Sequence, residues 1–144
     1  MIGRSALPMA RELPTHFARP PLFEAWMVAE LAKQSLSRGE DPRLFFWRDN
    51  VGTEVDVIDE RGGKLEPIEI KSGQTVAPDA FCSLGLFGKY AGDRSHAPQL
   101  VYGGEESYVR GGVRVTAWRD LRRGAPRRRL PSARPRRRTG SAAR

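Results

Sequence analysis

The chain has 144 residues, with 25 Lys and Arg against 17 Asp and Glu, a net charge of +8 and a single cysteine. One cysteine excludes a disulfide framework and a cysteine metal cluster, and it fits a reducing cytoplasm. No apolar run is long enough for a signal peptide or a membrane span, so a cytoplasmic protein without a membrane partner is expected.

Residues 1–20 combine prolines with widely spaced arginines and read as a poorly structured leader. A helix is expected over residues 21–37, because proline suits the first helical turn and Arg38-Gly39 followed by Asp41-Pro42 ends it. At about 100° per residue, Glu24 shares a face with Met27, Val28 and Leu31, while Glu30 lies nearer Lys33, Gln34 and Ser37. A carboxylate on an apolar stripe needs a partner, because burying a lone charge is costly. Glu24 is therefore a candidate site residue or an acid at the rim, and Glu30 an ordinary surface acid.

Residues 44–48 are aromatic and strand-like, and core or edge packing is their plain reading. Two strands then follow, over about 54–59 and 65–71, joined by Gly62-Gly63. A Gly-Gly loop suits a type I′ turn, in which both central residues need positive φ. Arg61 then faces Lys64, Asp56 faces Glu69 and Glu54 faces Lys71. In this register Asp56 and Glu69 form a non-hydrogen-bonded pair with Cα atoms about 4.5 Å apart, and Pro67 opposite Ile58 costs no ladder bond. Val55, Val57, Ile68 and Ile70 all turn to the other face as core. A bulge would break this pairing.

Two adjacent carboxylates repel, so one is protonated or a cation lies between them. Oxygen ligands of this kind suit Mg²⁺ or Mn²⁺, which bind one or two carboxylates together with water and substrate phosphate. Asp56 and Glu69 are thus the candidate metal ligands, the Ile70 carbonyl a further one, and Lys71 a group to orient water or steady a phosphate. The plain alternative is a solvated strand face with cross-strand ion pairs.

Asp56 followed by Glu69-Ile70-Lys71 resembles the motif of the PD-(D/E)XK nuclease superfamily. The wider run LFEAWMVAELAK, LFFWRDNVGTEVDVI, PIEIKSGQTV, LVYGGEE and GGVRVTAWRDL resembles the C-terminal domain of uncharacterised function in prokaryotic AAA-type ATPases, over residues 13–121. The resemblance implies an α/β, restriction-endonuclease-like mixed sheet flanked by helices. It also implies Mg-dependent hydrolysis of a DNA phosphodiester by Asp56, Glu69 and Lys71, with Glu24 as the auxiliary acid of the first helix. No GxxxxGK[ST] loop is present. The chain then reads as a stand-alone copy or a truncated fragment, with an ATPase as a partner in trans. A non-catalytic nucleic-acid- or partner-binding module of the same fold is the competing expectation.

Further along, residues 79–90 read as a helix with Phe81, Leu84 and Phe87 at helical spacing and Cys82 as a small core residue. Strands are expected over 99–102 and 113–118, with Gly103-Gly104 and Gly111-Gly112 as turns. One nuclease-like domain thus spans 21–121. Residues 122–144 hold ten arginines and no acid, a disordered tail able to bind phosphates through counterion release. Removing its +10 from the total of +8 leaves −2 for residues 1–121, so the basic excess lies outside the domain.

Overall fold

The computed structural model describes residues 19–122. Most of the expected leader and tail lie outside the described residues. Helix α1 (Arg19–Ser37) precedes a meander of β1 (Leu44–Arg48), β2 (Glu54–Arg61) and β3 (Lys64–Lys71). Helix α2 (Cys82–Ala91) crosses over to β4 (Gln99–Tyr102), followed by β5 (Tyr108–Arg110), β6 (Val113–Ala117) and the short α3 (Trp118–Arg122). The six strands form one mixed sheet in the order β1-β2-β3-β4-β6-β5, with β4 parallel to both β3 and β6.

Helices cover both faces of this sheet, so it has two cores. On one side Met27 and Leu31 of α1 and Leu121 of α3 pack on Val57, Ile68, Ile70 and Val101. On the other, Leu84 and Phe87 of α2 pack on Val55, Ile58, Leu100, Val115 and Ala117. A fully buried aliphatic or aromatic side chain contributes about 1.5–3 kcal/mol, so each helix is held chiefly by its apolar stripe. The two-sided covering explains why β4 is buried at all four residues.

The β2–β3 hairpin has the register that its Gly62-Gly63 turn dictates. Arg61 pairs with Lys64, Ile58 with Pro67 and Val57 with Ile68, and both glycines have positive φ, 55° and 78°. The ladder ends there, one pair short of Asp56 and Glu69. Its other neighbour gives the reason. Phe45 pairs with Ile58 and Trp47 with Val55, so Phe46 alone stands opposite Asp56 and Val57, and β2 carries a β-bulge.

The bulge reverses the strand. The Arg43 carbonyl accepts from the Glu60 N–H at 3.0 Å, and the Asp49 N–H donates to the Thr53 carbonyl at 2.9 Å. Alternate residues bond to the same side, so Val55, Ile58 and Glu60 bond toward β1, while Val57, Asp59 and Arg61 bond toward β3. Val55 and Val57 therefore enter opposite cores, correcting the expectation that both line one face.

Three further points differ from expectation. The last strand stops at Ala117 and Trp118 begins α3. The edge strand β5 is a three-residue element without a clear alternation of its own. Cys82, expected in the core, is exposed, because the helix stripe passes through Leu84 and Phe87 instead.

At the C-terminal end of β3 two turns meet closely. The Gly103 N–H donates to the carbonyls of Lys71 and Gly73, each at 3.0 Å. A Cβ at Gly103 would run into the Ser72 carbonyl, so this glycine is required by backbone approach rather than by its φ. Gly103→Ala is expected to destabilise the domain by about 1–3 kcal/mol, read as a lower urea midpoint; an unchanged midpoint would show that the two turns do not touch.

Candidate functional site

In a regular hairpin the Ile70 N–H would bond to the Val55 carbonyl. The bulge turns that carbonyl toward β1, and a buried N–H left unpaired is costly. The Asp56 carboxylate fills the gap. Its Oδ2 accepts from the Ile70 N–H at 2.7 Å. Strand geometry points the N–H and C=O of one residue to the same edge, so the Ile70 carbonyl faces the same opening between β2 and β3.

Glu69 lies on the α2 side of β3 and is buried, at 5 % exposure. Both of its oxygens have partners. Lys71 Nζ approaches Oε1 at 2.6 Å, and the Ser83 hydroxyl of α2 donates to Oε2 at 3.0 Å. Lys71 thus pairs along its own strand with Glu69 and not across the ladder with Glu54, as the simple register had implied. The ladder that would have brought Glu54 opposite Lys71 is cut short by the bulge.

Glu24 stands on α1 and is exposed at the rim, close enough to feel Asp56, Glu54 and Lys71. Its helix is tied to this end of the sheet by the Arg19 guanidinium, which donates to the Ser72 carbonyl at 2.8 Å. Glu30 makes the surface pair with Lys33 at 2.9 Å. All four expected site residues, Glu24, Asp56, Glu69 and Lys71, therefore belong to one cluster at the C-terminal end of β3. Ser83 joins them unforeseen; a serine in the first turn of a helix carries no sequence signal that it will meet a strand acid.

The cluster is electrostatically loaded. Burial pushes the Glu69 carboxyl above the usual carboxylate range, and the neighbouring Asp56 charge adds to this against Lys71 and Ser83. Burial likewise raises Asp56, opposed by the Ile70 N–H and Lys71 and assisted by Glu54. Glu24 is raised by partial burial and then by Asp56 and Glu54. For Lys71, burial acts downward, but the contact with Glu69 and the Asp56 charge outweigh it and hold the ammonium charged.

Among the described residues no three carboxylate, imidazole or thiol groups converge as a ready metal cage. The oxygen donors here are two carboxylates, each raised first by burial, with one carbonyl facing the opening between β2 and β3. That fits Mg²⁺ or Mn²⁺, which keep waters and take the rest of their shell from substrate oxygens. It does not fit zinc, which favours histidine and cysteine in a closed tetrahedron.

The raised carboxyls have a consequence for stability. The folded state holds protons that the unfolded chain releases near pH 4, so these groups cost stability progressively as pH rises from that point through their folded values. Asp56→Asn keeps an acceptor for the Ile70 N–H and removes a charge, so it is expected to raise the melting temperature at pH 7 but not at pH 3. Asp56→Ala orphans the N–H and is expected to cost about 1–3 kcal/mol at both pH values. Thermal melts of the two variants at the two pH values test this; equal effects of Asn and Ala would contradict it.

Comparison with known proteins follows the same boundaries as the fold. The model of the family described as "Domain of unknown function (DUF4143)" matches residues 20–121, nearly all of the described chain. No curated protein matches the chain at a significant level. Among the described residues no helix is long and apolar enough to cross a membrane. The chain belongs to the DUF4143 family, an uncharacterised domain commonly found at the C-terminus of AAA-type ATPases.

Proposed function

We propose that this domain is a PD-(D/E)XK nuclease-like module that hydrolyses DNA phosphodiesters with Mg²⁺ or Mn²⁺. The observation that carries the reading is the convergence of Asp56, Glu69 and Lys71 where the β2–β3 ladder opens, with both carboxyls raised. Carboxyls raised by burial beside a specific charge partner mark a candidate functional site. The chain order, a helix, an antiparallel meander, a crossover helix and a strand parallel to the third, supports a restriction-endonuclease-like arrangement.

In this reading Asp56 and Glu69 hold the ion, with the Ile70 carbonyl beside them. The ion supplies charge neutralisation at the phosphate and an acidified water. Asp56 is oriented by the Ile70 N–H and Glu69 by the Ser83 hydroxyl, and Glu69 would share Oε1 between Lys71 and the ion. Lys71 stays protonated and orients the attacking water or steadies phosphate charge once Glu69 shares its oxygen. Glu24, exposed at the rim, takes the auxiliary role on the approaching substrate or water. The arginine-rich tail would retain DNA without sequence preference, and an ATPase would be the partner in trans.

One observation favours a second reading, a non-catalytic binding module. Glu69 already has both oxygens satisfied by Lys71 and Ser83, as a structural ion pair would.

The discriminating experiment uses the full chain with plasmid and linear DNA in Mg²⁺ or Mn²⁺. Cleavage is expected, and it should fall at least about 100-fold in Glu69→Ala and in Lys71→Ala, the range of an electrostatic catalytic group. Ion binding by calorimetry should be lost in Asp56→Ala and should strengthen from pH 5 to 8, because the ion displaces protons from raised carboxyls. If neither cleavage nor pH-dependent ion binding occurs, and DNA is retained equally by the variants, the binding-module reading replaces the enzyme.

A further inference from the structure

Strand β1 is the outer strand of the sheet, and its exposed side is chemically unusual. Phe45 is 51 % exposed and Phe46 62 %. Trp47, between them and α2, stacks on Phe87 and Tyr90 at centroid distances of 5.3 and 5.6 Å. Among the described residues no strand pairs with the free edge of β1. A long apolar edge left bare invites another strand, and proteins ordinarily blunt such edges with charge, proline or a cover. Within β1 only the terminal Arg48 is charged.

The hydrogen-bond phase of this edge is fixed by the bonds already described. Arg43 and Asp49 bond inward to β2, and alternation places Phe45 and Trp47 with them. Leu44, Phe46 and Arg48 therefore direct their N–H and C=O groups outward. We infer that β1 pairs antiparallel with β1 of a second copy, on a two-fold axis at Phe46, joining the two sheets into one.

This register is singled out by three independent features. First, Phe46 meets Phe46 of the partner subunit, and Leu44 meets Arg48 of the partner subunit, so every outward-directed residue finds an outward-directed mate. Shifting by two residues in either direction leaves one of the three unpaired, and in one direction it opposes Arg48 to proline at position 42, which has no N–H. Second, the same register sets Arg43 against the partner's Asp49 at both ends, a complementary pair repeated by the symmetry. Asp49 Oδ1 accepts from the Val51 and Thr53 N–H groups, and the Thr53 side chain and Gly52 N–H also act on the carboxylate. Arg43 contacts Glu60 through Nη2 at 3.2 Å, and a guanidinium carries further donors. A one-residue shift would instead oppose Arg43 to Arg48 and mismatch the backbone phase.

Third, Phe45 falls opposite the partner's Trp47 in the close, non-hydrogen-bonded class. Cross-strand aromatic pairs of this kind contribute about 0.2–1 kcal/mol each. The interface is isologous, so it closes at two copies and leaves no β1 edge unpaired.

The test is sedimentation velocity of the full chain over a wide concentration range, with Phe46→Lys alongside. A dimer is expected, and Phe46→Lys should weaken it at least tenfold by placing like charges on the axis while leaving the circular dichroism unchanged. In a Cys82→Ser background, Phe46→Cys should yield a disulfide-linked dimer under mild oxidation. Cα atoms of such a pair sit about 5.5 Å apart, within disulfide range. Val51→Cys, at 82 % exposure but off the axis, should not cross-link. A monomer at every concentration, as results if another segment of this chain covers the edge, overturns the inference. So does a dimer indifferent to Phe46→Lys.

Discussion

The hydrogen bond from the Ile70 N–H to the Asp56 carboxylate is the contact on which the candidate site depends. It exists because β2 carries one residue too many against β1. The extra residue turns the Val55 carbonyl outward, deprives Ile70 of its ladder partner and sets a carboxylate in the space. A regular hairpin would have closed that space with main-chain bonds and left Asp56 as one more strand acid. The bulge thus fills a backbone vacancy with a charged side chain, in keeping with the tendency of bulges to re-aim side chains.

The rest of the fold holds that opening in place. The apolar faces of α1 and α2 clamp the sheet from both sides, so the opening lies between two rigid layers. Ser83 anchors Glu69 from the α2 side, and Arg19 ties the start of α1 to the turn after β3. Gly103 binds the next turn to the end of the same strand. Each tie fixes a different element around the same few side chains. Three raised carboxyls, Glu24, Asp56 and Glu69, gather at this strand end, while the buried polar groups elsewhere in the sheet, Gln99 with Thr116 and Asp59 with Arg61, are paired with each other. Such a division is common where stability and function compete.

Much of this was legible in the amino-acid sequence, and for physical reasons. Gly62-Gly63 dictates a turn with positive φ, and the hairpin register follows from it through Val57 and Ile68. The helical stripes Met27–Leu31 and Leu84–Phe87 have an unambiguous period. Glu69 and Lys71 share a face through strand alternation and Glu24 reaches the rim through helix phase, whereas Asp56 joins them through the bulge and not through the ladder pair with Glu69 that the turn register had implied. The bulge was not legible, since it arises from the pairing of β2 with β1 and no residue type at Asp56 or Val57 announces it. Hence Val55 and Val57 were assigned to one face when they fill two cores. Ser83 escaped notice for a related reason: its partner lies on a strand fourteen residues away. Cys82 was misplaced because it adjoins the apolar stripe without lying on it.

The central proposal is that the bulge brings Asp56 beside Glu69 as a proton and cation site. It is tested most directly by an NMR titration of the Asp56 and Glu69 carboxyl carbons, followed together with the Ile70 amide, with and without Mg²⁺. The account predicts that both carboxyls titrate above the ordinary carboxylate range, that the Ile70 amide shifts in step with Asp56, and that Mg²⁺ moves both carboxyls downward. Two ordinary, independent titrations with an Ile70 amide indifferent to pH would contradict it.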